Sequence, residues 1–142
     1  MRIISIDYGD SRVGIAITDE LCITAQGLET IAYGGNDKIL LRRLTQIINE
    51  YSVEEIVVGM PINMNGTKGP RVEKTEKFIH KLKCLYNKLK ISTIDERLTT
   101  VEAHKTMNFL NVNKFEKKSI VDTISAVYIL ETYLNRRKNE NN

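Results

Sequence analysis

The stretch RIISIDYGDSRVGIAITD (residues 2–19) decides the fold. Its first seven residues are mostly apolar and β-branched, as in a strand buried on both faces. Gly9-Asp10-Ser11 is dense in turn formers. Residues 12–19 then alternate Val13, Ile15 and Ile17 with Gly14, Ala16 and Thr18, the period of a second strand hairpinned to the first. A weaker third strand over residues 28–33 closes at Gly34-Gly35-Asn36.

From there the period changes. Asn36 or Asp37 caps a predicted helix to about Tyr51, with Ile39, Leu40, Leu44, Ile47 and Ile48 at helical spacing. Residues 54–61 contain IVVGMP and read as a buried strand, followed by a loop over residues 62–70. A helix over residues 71–88 carries Val72, Phe78, Ile79, Leu82 and Leu85 on one side. A brief strand over 91–94 ends in Asp95-Glu96-Arg97, and Thr99-x-x-Glu102 has the capping-box form that starts another helix. The last helix spans about residues 116–137. Antiparallel strands followed by β-α alternation predict an α/β fold with a mixed five-stranded sheet and helices on both faces. The expected organisation is one domain over residues 1–138 with a polar tail over 139–142.

Composition agrees. A chain of 142 residues, 42% hydrophobic and 27% charged, has the size and apolar content of one core. No apolar run approaches the ~18 residues that cross a bilayer, and the acidic N-terminus is unlike a signal peptide. Cys22 and Cys84 form no CxxC pair, and with two histidines they argue against a Cys/His zinc site. These features predict a soluble cytoplasmic protein without a membrane partner. Charge is unevenly placed. Residues 1–67 hold 5 Lys/Arg against 9 Asp/Glu, and residues 68–142 hold 16 against 9. The segment 68–90 alone has a net charge of +6. Such a basic half suits a polyanion, and equally a solvated lysine-rich helix face.

Three carboxylates stand out. Asp7 ends the first strand beside Gly9, where an acid opens onto a ligand at the sheet's edge; it reads as readily as a turn former. Glu96 follows the last strand, and emerges at the same edge if the two strands are near; alone it is an ordinary loop charge. Asp122 shares a helical stripe with Ala126, Ile129 and Tyr133, so it needs a partner or a metal. Ser119-x-x-Asp122 offers a competing role as a helix cap. Acids from strand ends and a helix make a hard-oxygen site for Mg2+ or Mn2+ and suit two-metal phosphoryl transfer. His80 and His104 fall on amphipathic helices, and such a site needs no histidine base. The loop from Gly59 to Arg71 follows a strand and precedes a helix. There Thr67, Lys68, Arg71 and backbone N–H groups are donors for phosphate oxygens, although no P-loop is present.

Taken together, Asp7-Tyr8-Gly9 with Arg12-Val13-Gly14, then VGMPINMNGTKGPR, then Asp95-Glu96-Arg97-Leu98-Thr99-Thr100, then Asp122 resemble the YqgF (RuvX) family over residues 2 to about 134. The resemblance implies an RNase H-like fold with Asp7, Glu96 and Asp122 as catalytic acids and metal ligands. Asp95 enters as an extra ligand, and Arg12, Lys68, Arg71 and Arg97 as nucleic-acid contacts. It implies a metal-dependent nuclease that processes the 5′ end of pre-16S rRNA in ribosome biogenesis. The family's older assignment is Holliday-junction resolvase in DNA recombination and repair, with structured or branched DNA as substrate. Thr123, Ile124 and Ser125 stand where RuvC resolvases often carry a further acid, which weakens the junction assignment.

The expected activity is therefore phosphodiester hydrolysis, by a monomer on RNA or by a two-fold homodimer on a junction. With 3 Phe, 6 Tyr and no Trp, recognition of shape and backbone is expected over extensive base stacking. A non-catalytic nucleic-acid-binding module would gain nothing from clustered anions. An actin-like ATPase would need a second such domain.

Overall fold

The computed structural model describes residues 1–98 and 114–140, the side chains of residues 98 and 114–122 excepted. Five strands form one sheet: β1 (Arg2–Tyr8), β2 (Arg12–Thr18), β3 (Ala25–Ala32), β4 (Val53–Met60) and β5 (Lys90–Asp95). Their order across the sheet is β3-β2-β1-β4-β5. The first three strands pair antiparallel, whereas β1 with β4 and β4 with β5 run parallel. The predicted mixed sheet is thus the observed one.

Helices α1 (Asp37–Tyr51) and α2 (Pro70–Leu85) cover one face, and α3 (Lys114–Glu140) covers the other. Strand alternation divides β1 between them. Ile4 and Ile6 enter a core with Leu40, Leu44, Ile47, Phe78 and Leu82. Ile3 enters a second core with Ala16, Val57, Ala126, Ile129 and Leu130. Tyr8 stacks on Phe78 at 4.2 Å between ring centroids, and its hydroxyl donates to Asp37 Oδ1 at 3.0 Å. The Asn36 side chain caps α1 by accepting from the Lys38 N–H, as its sequence signature predicts.

Three boundaries differ from expectation by three residues each. β3 begins at Ala25, three residues early, because its register with β2 carries pairing through Gln26 and Gly27 regardless of its own weak apolar pattern. α2 ends at Leu85, where Tyr86 leaves helical geometry and turns its hydroxyl onto Thr45 and the Leu41 carbonyl. α3 continues through Glu140, so residues 139 and 140 of the expected tail are helical; Arg136 Nε donates to Glu140 Oε1 at 3.5 Å across one turn. The helix expected from Thr99-x-x-Glu102, with His104, lies outside the described residues. Among the described residues, no helix is long and apolar enough to cross a membrane.

Candidate active site

Strands β1, β4 and β5 run parallel and end together, so Asp7, Met60 and Asp95 reach one edge of the sheet. Ile6 pairs with Val58, and Gly59 pairs with Ile94, which sets Asp7 level with Gly59. Just past β5, a 3₁₀ turn over Glu96–Leu98 brings the Glu96 side chain back over Gly59. A Cβ at Gly59 would lie 2.8 Å from Glu96 Cγ and Oε1, and 2.5 Å from Ile129 Cδ1. The missing side chain is the space that Glu96 occupies. The two acids predicted from separate strand ends are thus brought into contact.

Their electrostatics follow. Burial pushes the Asp7 carboxyl well above the usual carboxylate range, and the Glu96 charge and a hydrogen bond to Glu96 push it further. Arg71, in the first turn of α2, offsets part of this. Asp7 and Glu96 therefore form a hydrogen-bonded acid pair whose like charges repel. That donor set fits a divalent cation of the Mg2+ or Mn2+ kind, whose charge would relieve the repulsion. Among the described residues, no group of three or more His, Cys, Asp or Glu side chains that could hold a metal forms. Residue 122 lies in α3 one turn before Ala126, but its side chain is outside the described residues. Around it α3 is fixed to the sheet, by Ser5 Oγ donating to the Ala126 carbonyl at 2.5 Å and by Thr30 and Thr123 hydroxyls 2.8 Å apart.

Asp95 does something other than expected. Its Oδ1 accepts from the Arg97 backbone N–H at 3.0 Å, and its Oδ2 accepts from Arg97 Nε at 2.8 Å with Nη2 at 2.5 Å. The hydrogen bond from Arg97 holds the Asp95 carboxyl below its ordinary range. Both oxygens are taken up locally, so the role of extra ligand is not the one the structure gives it.

The loop between β4 and α2 also spends its donors on itself. Thr67 N–H and Oγ both donate to Asn65 Oδ1, at 3.0 and 2.6 Å, so Thr67 is not a spare phosphate donor. Asn63 N–H bonds the Thr67 carbonyl, and Gly66, at φ +86°, returns its N–H to the Asn63 carbonyl. Lys68 is exposed, 3.9 Å from Glu76. Arg71 is exposed and, among the described residues, makes no ion pair at salt-bridge distance. Arg12 opens β2, half-buried, its carbonyl closing the β1–β2 turn on the Gly9 N–H at 3.1 Å. His80 is exposed on α2. Gly59 is the site residue that sequence reasoning passed over as loop punctuation. A glycine inside a buried β-branched run was the available signal.

The paired acids thus sit at the carboxyl edge of a mixed five-stranded sheet with helices on both faces, in an α/β protein. A family model described as "RuvX: Holliday junction resolvase" matches residues 1–136, and the chain belongs to that family. A protein of Ruminiclostridium cellulolyticum named "Putative pre-16S rRNA nuclease" is 59% identical over 136 residues, covering 96% of this chain and 95% of its own. Among solved structures, Fowlpox virus resolvase with Holliday-junction DNA is similar at TM-score 0.60 and 16% identity, covering 96% of this chain and 99% of that one. T. thermophilus RuvC with a Holliday-junction substrate is similar at TM-score 0.58 and 12% identity, covering 97% and 96%. At these identities the likeness is one of fold, and that fold is RNase H-like.

Proposed function

We propose that this chain is a divalent-metal-dependent nuclease that hydrolyses RNA phosphodiester bonds in the cytoplasm and trims the 5′ end of pre-16S rRNA. The observation that carries the proposal is the Asp7–Glu96 pair meeting over Gly59 at the sheet's carboxyl edge. The name of the 59% identical relative supports the substrate. Asp7 and Glu96, with Asp122 from α3, would hold Mg2+ or Mn2+. When bound, the metal supplies charge to activate water and to stabilise the leaving oxygen. The chain's own part is to keep the acids close, to hold Asp7 half-buried at the strand end, and to orient the phosphate. Arg71 is best suited to that last task, making no ion pair among the described residues and lying within electrostatic range of Asp7. Lys68 and Arg12 extend the phosphate path, and Arg97 borders it.

The test is cleavage of labelled 5′-extended pre-16S rRNA by wild type and Asp7→Asn, with and without Mg2+ or Mn2+. Wild type cuts only with metal. Asp7→Asn loses cleavage by at least a hundred- to a thousand-fold and binds RNA equally or better, having lost one repelling anion. An active Asp7→Asn protein overturns the assignment. The family description favours one second substrate, a four-way DNA junction, and paired nicks in that probe alone would select it. Such nicks require a two-fold dimer, whereas a monomer suffices for RNA.

A further inference from the structure

Beside the acid pair lies a cavity of about 410 Å³ that shares Glu96 and Arg71 with the hydrolytic site and whose other walls the hydrolysis does not use. Glu96 forms one wall. Pro61, Ile62, Met64 and Pro70 supply apolar surface, while Arg71 and Arg97 stand at the edge. The volume is at the lower end of the ~300–1,000 Å³ typical of sites for small organic ligands. Its chemistry is that of a flat apolar body with polar edges, next to an arginine available for a phosphate.

Arg97 is the informative wall. Its charge is already matched by Asp95, whose carboxylate holds Nε and Nη2. A neutralised arginine is a poor clamp for a second anion. Its guanidinium plane, by contrast, is locked in orientation, and it packs against the loop, where a side chain at Gly66 would meet Nη1 at 3.6 Å. A fixed guanidinium plane stacks on a base as an aromatic ring does. Met64 is 78% exposed on this loop, and Ile62 is half-buried behind it. The apolar exposure lies where a base would cover it.

We infer that this cavity receives the unpaired nucleobase of a nucleotide adjoining the scissile phosphate, stacked on Arg97 and packed on Ile62 and Met64, while Arg71 takes the phosphate. The inference rests on the nuclease reading for the position of the cut, and it goes further. The substrate must present one unstacked base at a fixed step from the cleaved bond, and one base is read by stacking in a chain poor in aromatics.

A binding measurement separates the two. A single-stranded ten-nucleotide RNA carries one 2-aminopurine, stepped along the chain, and is bound by the Asp7→Asn protein so that it stays intact. Fluorescence is expected to change at one position only. An abasic nucleotide at that position weakens binding about ten-fold, in the range found for loss of one base stack, and elsewhere has little effect. Met64→Asp, at an exposed site that tolerates it, removes the position-specific signal. Arg97→Lys keeps the charge and salt dependence but loses the abasic discrimination, which a purely electrostatic role would not. Equal signals along the RNA, or discrimination that survives both variants, overturns the base pocket. Position-specific binding by a wild type that cuts no RNA with Mg2+ or Mn2+ keeps the pocket and overturns the nuclease. Metal-dependent cutting that is indifferent to every abasic position does the reverse. Failure to bind RNA at all overturns both.

Discussion

The two faces of the sheet are built to different ends. On the face under α1 and α2, β1 and β4 contribute Ile4, Ile6, Tyr8, Val53, Ile56 and Val58 to a core of hydrocarbon and aromatic side chains. On the face under α3, the same strands carry Ser5, Asp7 and Gly59 between Ile3 and Val57. One face is optimised for burial. The other gives up apolar area for a hydroxyl that pins a helix, an acid that burial disfavours, and a gap that a second acid fills. Stability is concentrated where chemistry is absent, and the site is placed at the end of strands that the opposite core already holds rigid. Substitutions on the two faces should therefore separate stability from cleavage.

The largest separation is expected at Gly59. A methyl group there meets Ile129 Cδ1 and the Glu96 side chain well inside van der Waals distance, so Glu96 must move away from Asp7. Gly59→Ala should reduce metal-dependent cleavage about a hundred-fold, the cost of misplacing a catalytic group by about 1 Å. Overpacking should cost about 1–3 kcal/mol of stability. Cleavage at the wild-type rate by a folded Gly59→Ala protein would mean that Glu96 need not stand where it does. The mirror experiment is Phe78→Ala on the other face. Phe78 is buried against Tyr8, and its loss should cost about 3–5 kcal/mol in urea unfolding. Cleavage per folded molecule should hold near wild type. A specific loss of activity there would show that the α1–α2 core positions the acids more directly than the division of faces allows.

Much of this division was legible in the residues. The apolar runs of β1 and β4, the alternation of β2 and the Asn36 cap are local patterns, and each appears where its run, period or cap predicts. Asp7 was visible as an acid at the end of a buried strand. What stayed hidden depends on residues distant in sequence. That Glu96 meets Asp7 requires β4 to lie between β1 and β5 in parallel register, and the role of Gly59 appears only once that register is known. Competition among neighbours hid the rest. Asp95 reads as a ligand until Arg97, two residues on, claims both its oxygens. Thr67 reads as a phosphate donor until Asn65 takes its N–H and hydroxyl. Sequence shows which polar groups are present, but not which partner reaches each one first.

The smallest expected effect tests how far the α3 face acts as one unit. Ser5 lies on β1 two residues before Asp7, fully buried, and donates to the Ala126 carbonyl, one turn after residue 122. A helical carbonyl that already serves its own helix accepts this second bond, so Ser5→Ala leaves no donor stranded and should cost only about 0.5–1.5 kcal/mol. If the bond merely adds stability, cleavage at saturating metal should be unchanged. If it sets the depth at which α3 sits over the strand ends, Asp7 loses its register with the helix. Cleavage should then fall several-fold, and the metal concentration for half-maximal rate should rise. We expect the second outcome, because the hydroxyl joins the acid-bearing strand to the helix that carries Asp122. The Ser5→Thr variant, which retains the hydroxyl and adds one methyl group, should keep the wild-type metal dependence at some cost in packing. A metal dependence kept in Ser5→Thr but lost in Ser5→Ala would assign the effect to the hydrogen bond and not to the volume.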